Sequence, residues 1–151
     1  QLIEAFLRRN EKVHLVGSSL GGFYCLYLAN KYDLKAVLIN PAVYAHDTLM
    51  KYQGVEFAKS YYDGSRFEFT LSHTKSLLDY QSNTIKNPKN IMTLLQKDDE
   101  TLDYKEAELL LKDTNLIVEE GGSHSFDGIE RYFDFFSLYN TKKVVFLYFY
   151  L

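Results

Sequence analysis

Tryptophan is absent from this chain of 151 residues, and cysteine occurs once, as Cys25. A single thiol excludes an intramolecular disulfide framework and fits a reducing compartment, so the cytoplasm is the expected location. Long apolar runs are also missing. The tail "VVFLYFYL", Val144–Leu151, is far shorter than the roughly 20 residues that span a bilayer, so no membrane span is expected. Net positive charge is lacking too. The chain carries -3 with both signs interspersed, which leaves no basic footprint for nucleic acid. Histidines, acids and the cysteine show neither H-E-x-x-H nor paired C-x-x-C spacing, so no metal or other cofactor is expected. Internal repeats and low-complexity segments are absent.

What is present reads as one domain with a real core. The apolar fraction is 46% and the charged fraction 25%, both ordinary for a globular protein. "QLIEAFLRRN" places Leu2, Ile3, Phe6 and Leu7 on one helical face. It reads as a helix already under way, so a fragment of a longer protein is expected. Short apolar strands follow at Val13–Val16, Leu34–Asn40 (stopped by Pro41), Ile91–Gln96 and Leu116–Glu120. Helices are expected over Leu20–Tyr32, over Asp103–Lys112 with Asp103 as N-cap, and over Asp127–Tyr139. This alternation predicts an α/β fold, a mostly parallel sheet with helices on both faces. Residues 42–89 break the rhythm and are too long for a plain connection. "YYDGSRFEF" there reads as a turn beside an extended piece, and "TKSLLDYQSNTI" as a helix. The expected organisation is a domain over 1–139, with 42–89 as a cap-like insertion and 140–151 as an atypical apolar tail.

The chemistry begins in "VHLVGSSLGGFYCLYLA". Gly17-Ser18-Ser19-Leu20-Gly21-Gly22 lacks the lysine of a phosphate-cradling P-loop and the middle glycine of a dinucleotide fingerprint. It does satisfy G-x-S-x-G, with Ser19 at the centre, after a strand and before a helix. That context is the one a nucleophile elbow requires. A serine on so sharp a turn needs small neighbours, and the helix N-terminus behind it favours developing negative charge. Cys25, within the helix that follows, reads as a small packed residue rather than a nucleophile.

Serine needs a base. Of the four histidines, His14 lies in a strand ahead of the elbow, and His46 and His73 in the insertion. His124 lies in "GGSHSFDG", just past the last strand and at the same sheet edge as Ser19, which makes it the candidate base. The third member holds the imidazole's tautomer and stabilises its cation. Four acids follow Gln96: Asp98, Asp99, Glu100 and Asp103. Asp99 is preferred for its distance beyond the strand; spacing leaves Asp98 and Asp103 open. The order Ser…Asp…His is that of an α/β-hydrolase.

At "LVGSSLGGFYCLYLA", "KAVLINPAV", "LLQKDDETLDYKEA" and "VEEGGSHSFDGIERYF", the chain resembles the YqiA-like esterases of the α/β-hydrolase superfamily. A looser match is "YYDGSRFEFTLSHTKSL". The resemblance runs from Val13 to about Phe136, and it implies Ser19 as nucleophile, Asp99 as acid and His124 as base. Asp99 falls on the aspartate of the family's G-D-E-x-L-D segment, with Asp98 where that segment has glycine. A strand ending in His-Gly is implied upstream of Gln1, whose loop supplies an oxyanion-hole amide beside that of Leu20.

The expected activity is therefore hydrolysis of a carboxylic ester or thioester, acyl-CoA among them, through an acyl-enzyme. The expected partner is a small acyl substrate, with Tyr61, Tyr62 and His73 of the insertion shaping its pocket. Two other readings use the same residues. A noncatalytic α/β-hydrolase-like binding module would not react with a fluorophosphonate. An acyltransferase would divert the acyl group to competing alcohols or amines.

Overall fold

A computed structural model describes residues 2–51, 58–59, 64–67, 70–134 and 145–146. Helix α1 (Leu2–Arg8) leads into β1 (His14–Ser19), α2 (Leu20–Tyr32) and β2 (Lys35–Pro41). Then come α3 (Ala45–Met50), the short strands β3 (Ala58–Lys59) and β4 (Arg66–Phe67), and α4 (Leu71–Ser76). Two further strand units follow, β5 (Ile91–Gln96) with α5 (Tyr104–Leu110), and β6 (Asn115–Glu119). The last described strand is β7 (Val145–Phe146). The main sheet has the order β6-β5-β2-β1-β7, and every pairing in it is parallel.

Parallel strands covered on both faces must be apolar in both directions, and these are. Leu15, Ala36, Leu38, Ile91 and Leu95 point to one face, against Cys25, Leu26 and Ala29 of α2 and Ala107 of α5. Val16, Val37, Ile39, Met92 and Leu94 fill the other, against Phe126 and Tyr132. Residues one apart on a strand therefore serve different cores, the expected consequence of a two-residue side-chain period. A third cluster ties Phe23 of α2 to Ala45 and Leu49 of α3 and to Leu77.

Several boundaries differ from the sequence expectation. The first strand continues past Val16 to Ser19, because Gly17 and Ser18 keep their pairing with Leu38 and Ile39 of β2. Pro41 is the last residue of β2 rather than its stop, since a missing N–H is tolerated at a strand's end. The expected helix over 127–139 appears as a 3-10 turn at Ile129–Tyr132 with helical residues at 133–134. Its remainder lies outside the described residues. "YYDGSRFEF" contributes β4, which pairs antiparallel with β3, and the helix read in "TKSLLDYQSNTI" begins earlier, at Leu71. Within the apolar tail, Val145–Phe146 adds a strand beside β1. No helix among the described residues is long and apolar enough to cross a membrane.

At the other end of the strands from the glycine stretch, His14 opens β1 opposite Lys35 of β2. Its Nδ1 is buried and has no hydrogen-bond partner among the described residues. Burial, and then the charges of Lys35 and Lys12, hold its pKa below the ordinary 6.5. The unfolded chain thus takes up this proton more readily, so stability falls as pH drops through the ordinary histidine value. Acidification from neutral to mildly acidic pH should lower the urea midpoint. His14→Asn should make that decline shallower.

Candidate active site

Between β1 and α2 there is no loop: Ser19 ends the strand and Leu20 starts the helix. Ser19 takes φ 53 and ψ -122, a conformation that side-chain-bearing residues avoid at a cost of about 1–3 kcal/mol. Its pairing with β2 shifts at this point, so that Ser18 faces Ile39 but Ser19 faces Pro41. The flanking glycines make the turn possible. A Cβ on Gly17 would overlap the carbonyl carbon and oxygen of Gly21 and stand 2.7 Å from Cys25 Sγ. One on Gly22 would stand 2.7 Å from Pro41 Cβ. Both glycines let α2 dock directly on the strands beside it. Cys25 itself is fully buried, and burial pushes its thiol up to about 12, which removes it as a nucleophile at neutral pH.

Ser19, His124 and Asp99 converge. Ser19 Oγ lies 3.0 Å from His124 Nε2, and His124 Nδ1 lies 2.9 Å from Asp99 Oδ2 and 3.0 Å from Oδ1. An imidazole protonated on Nδ1 donates to the carboxylate and leaves Nε2 to accept from the serine hydroxyl. Asp99 Oδ1 also accepts the amides of Thr101 (2.9 Å) and Leu102 (2.8 Å), which aim the carboxylate. Ser19 is fully buried, and the side chains of His124 and Asp99 are 9% and 2% exposed. Hydrogen bonds out of water are stronger, and so are the penalties for breaking them.

The acids past Gln96 separate by what each touches. Asp103 caps α5, accepting the amide of Lys105 at 3.0 Å. Asp98 is exposed, and its N–H donates to the Gly121 carbonyl at 3.1 Å. It has no positive φ, so aspartate fits this turn without strain. Glu100 Oε2 accepts the backbone N–H of His124 at 3.0 Å, a contact the sequence analysis did not foresee.

Among the histidines, His46 sits against its neighbour Asp47 at 2.8 Å. His73 is exposed on the first turn of α4, where its Nδ1 accepts the Thr70 amide at 3.2 Å. Tyr61 and Tyr62 lie outside the described residues. At the serine, the first-turn amides of α2 have no partner within the helix, and that of Leu20 follows Ser19 directly. This positive helix end can hold an oxyanion.

His124 reaches the serine by an indirect path. Its loop leaves β6 and passes the ends of β5 and β2, the strands standing between β6 and β1. Two buried carboxamides, Gln96 and Asn40, stand at those ends. The signal for them was a carboxamide at or next to the end of a mostly apolar strand, "IMTLLQ" and "AVLINP".

The model of the family described as "Uncharacterised protein family (UPF0227)" matches residues 1–139. Among solved structures, Est1E from Butyrivibrio proteoclasticus with ferulic acid bound is similar at a TM-score of 0.57 and 12% identity. That match covers 91% of this chain and 64% of the other. The mouse alpha/beta hydrolase domain-containing protein 10 has a TM-score of 0.53 at 18% identity, covering 82% of this chain and 59% of the other. An alpha-beta serine hydrolase homologue from Coxiella burnetii has 0.50 at 17%, covering 90% and 54%. The fold is that of the α/β-hydrolases. The chain spans between 54% and 64% of the length of these structures.

The close approach at Gly17 is directly testable. Gly17→Ala forces a methyl group into the Gly21 backbone, so a loss of about 1–3 kcal/mol is expected. Its measure is the denaturation midpoint.

Proposed function

Taking as premise that this chain belongs to the UPF0227 family of YqiA-like esterases, we propose that it is a serine hydrolase of carboxylic esters or thioesters. The observation that carries this reading is the unbroken run of hydrogen bonds from Ser19 through His124 to Asp99. Three parallel strands deliver one residue each: Ser19 closes β1, and Asp99 and His124 lie in the loops after β5 and β6.

In the proposed reaction His124 Nε2 takes the Ser19 proton as Oγ attacks the acyl carbonyl. Asp99 holds Nδ1–H and stabilises the imidazolium. The amide of Leu20 donates to the oxyanion, and the positive end of α2 adds to that stabilisation. The imidazolium then returns its proton to the leaving alkoxide or thiolate, and an acyl-Ser19 ester remains. Water, deprotonated by the same nitrogen, attacks this ester, the acyl–Oγ bond breaks as the imidazolium returns that proton to Ser19 Oγ, and the acid is released. Segment 42–89 serves as the cap over the acyl pocket, with Tyr61, Tyr62 and His73 as its candidate contacts. An ester of a small alcohol and an acyl-CoA thioester both fit this chemistry. A single buried thiol supports a reducing, cytoplasmic setting.

A fluorophosphonate probe should label the protein at Ser19, and Ser19→Ala should abolish the labelling. Labelling that survives Ser19→Ala would sink the proposal. Against p-nitrophenyl acyl esters and acyl-CoA, Ser19→Ala should lower kcat by about 10⁶-fold. For Asp99→Asn, which leaves the imidazole in the wrong tautomer, the expected loss is about 10⁴-fold. Release of p-nitrophenol or of free thiol gives the rates.

A further inference from the structure

We propose that the side chains of Asn40 and Gln96 are positioning residues for His124, two struts that carry its loop across the sheet to Ser19. The inference rests on the serine-hydrolase reading for its consequence and on the hydrogen bonds for its geometry. Strands β6 and β1 are separated by β5 and β2. At the usual strand spacing that is about 14 Å to be bridged. Each strand passed on the way carries a carboxamide that is 2% exposed at or next to its last residue, Gln96 closing β5 and Asn40 just before Pro41 of β2.

Every polar group of the two carboxamides is engaged. Asn40 Nδ2 donates to the carbonyls of Ser123 (2.9 Å) and His124 (3.1 Å), and its Oδ1 accepts the backbone N–H of Gln96 at 3.0 Å. Gln96 Oε1 accepts the amides of Ser123 (3.1 Å) and Asp127 (2.8 Å). Its Nε2 donates to the Asp127 carbonyl at 2.9 Å and to Glu119 Oε2 at 2.8 Å. Only a carboxamide offers donors and an acceptor together without charge, so neither a carboxylate nor an apolar side chain reproduces the set.

The backbone has adapted to the struts. Asn40 takes φ 39, and Gly122 takes φ +86 where a Cβ would overlap the Gln96 carboxamide. None of these bonds ends on Ser19 or Asp99. Five of them end on Ser123, His124 or Asp127 of the histidine's loop, and the other two join Asn40 to Gln96 and Gln96 to Glu119, so what they set is the distance from Nε2 to Oγ. A misplacement of about 1 Å at that distance breaks the hydrogen bond and can cost 10²-fold in rate.

The experiment compares Asn40→Ala, Asn40→Asp, Gln96→Ala and Gln96→Glu, with Asn115→Ala as control. Asn115 is also an interstrand carboxamide, donating to the Lys89 and Ile91 carbonyls, but it lies at the start of β6, away from the site. Two readouts are taken on folded protein: the fluorophosphonate labelling rate, and the downfield proton resonance of His124 Nδ1–H against Asp99. Asn40→Ala and Asn40→Asp should both slow labelling by about 10- to 100-fold and shift or broaden the resonance. Aspartate does not rescue, because it puts oxygen against the Ser123 and His124 carbonyls. Gln96→Ala and Gln96→Glu should likewise both slow labelling, because glutamate keeps the acceptor for the Ser123 and Asp127 amides but puts an oxygen against the Asp127 carbonyl and Glu119 Oε2. Asn115→Ala should lower Tm and leave both readouts unchanged.

Wild-type labelling and an unmoved resonance in folded Asn40→Ala and Gln96→Ala would overturn the proposal. So would an equal slowing in Asn115→Ala. Should Asn40→Ala fail to fold, wild-type labelling and an unmoved resonance in folded Gln96→Ala would overturn it on its own. Failure of the wild type to label refutes the hydrolase reading instead, and the resonance still decides the role of the struts.

Discussion

The imidazole of His124 has to stand against Ser19 although its parent strand β6 lies at the far side of β5 and β2. Much of the upper face of this sheet follows from that constraint. A parallel sheet places the exits of its strands along one edge, so Ser19, Asp99 and His124 start out on the same side. They do not start out adjacent. Bringing them together takes a loop held by side-chain hydrogen bonds in place of a ladder of its own.

Burial makes such a loop feasible and demanding at once. Its backbone amides and carbonyls cross the ends of apolar strands, where an unsatisfied polar group costs about 1–3 kcal/mol. Asn40, Gln96 and Glu100 meet that need for Ser123, His124 and Asp127. Phe126 adds an apolar anchor. It holds φ 64, an unusual backbone for phenylalanine, while its buried ring packs edge-on against Tyr132 at 5.9 Å. Strain at Ser19 and at Phe126 is thus carried by packing and hydrogen bonds at the two ends of the same reach.

Most of the strands and helices were legible in the sequence because their burial leaves a direct trace. Val37 and Leu38 face opposite cores and are both apolar, so "KAVLIN" reads as a strand covered on both sides. Asp103 was legible as a cap by its place before a helical pattern. The expected helix after Asp127 was not realised at its start, where Gly128 in a left-handed conformation opens a 3-10 turn. Local pattern could not reveal this, since the turn is shaped by Glu119, which accepts from Arg131 and Tyr132 across the chain.

The sequence by itself determined the serine's seat. Strand, glycine, serine, glycine and helix are contiguous, and the elbow's geometry is set by sterics among neighbours in the chain. It also narrowed the candidate base to one loop histidine and the candidate acid to a handful of residues after β5. Only the tertiary structure separated those acids, because Asp98, Asp99, Glu100 and Asp103 differ in what they touch rather than in what they are. Asp99 faces the imidazole, Glu100 its backbone, Asp103 a helix end and Asp98 the solvent. The roles of Asn40 and Gln96 were decided the same way. A hydrogen bond between residues 84 positions apart, such as Asn40 to His124, leaves no periodicity in the chain and exists only once the strands lie side by side.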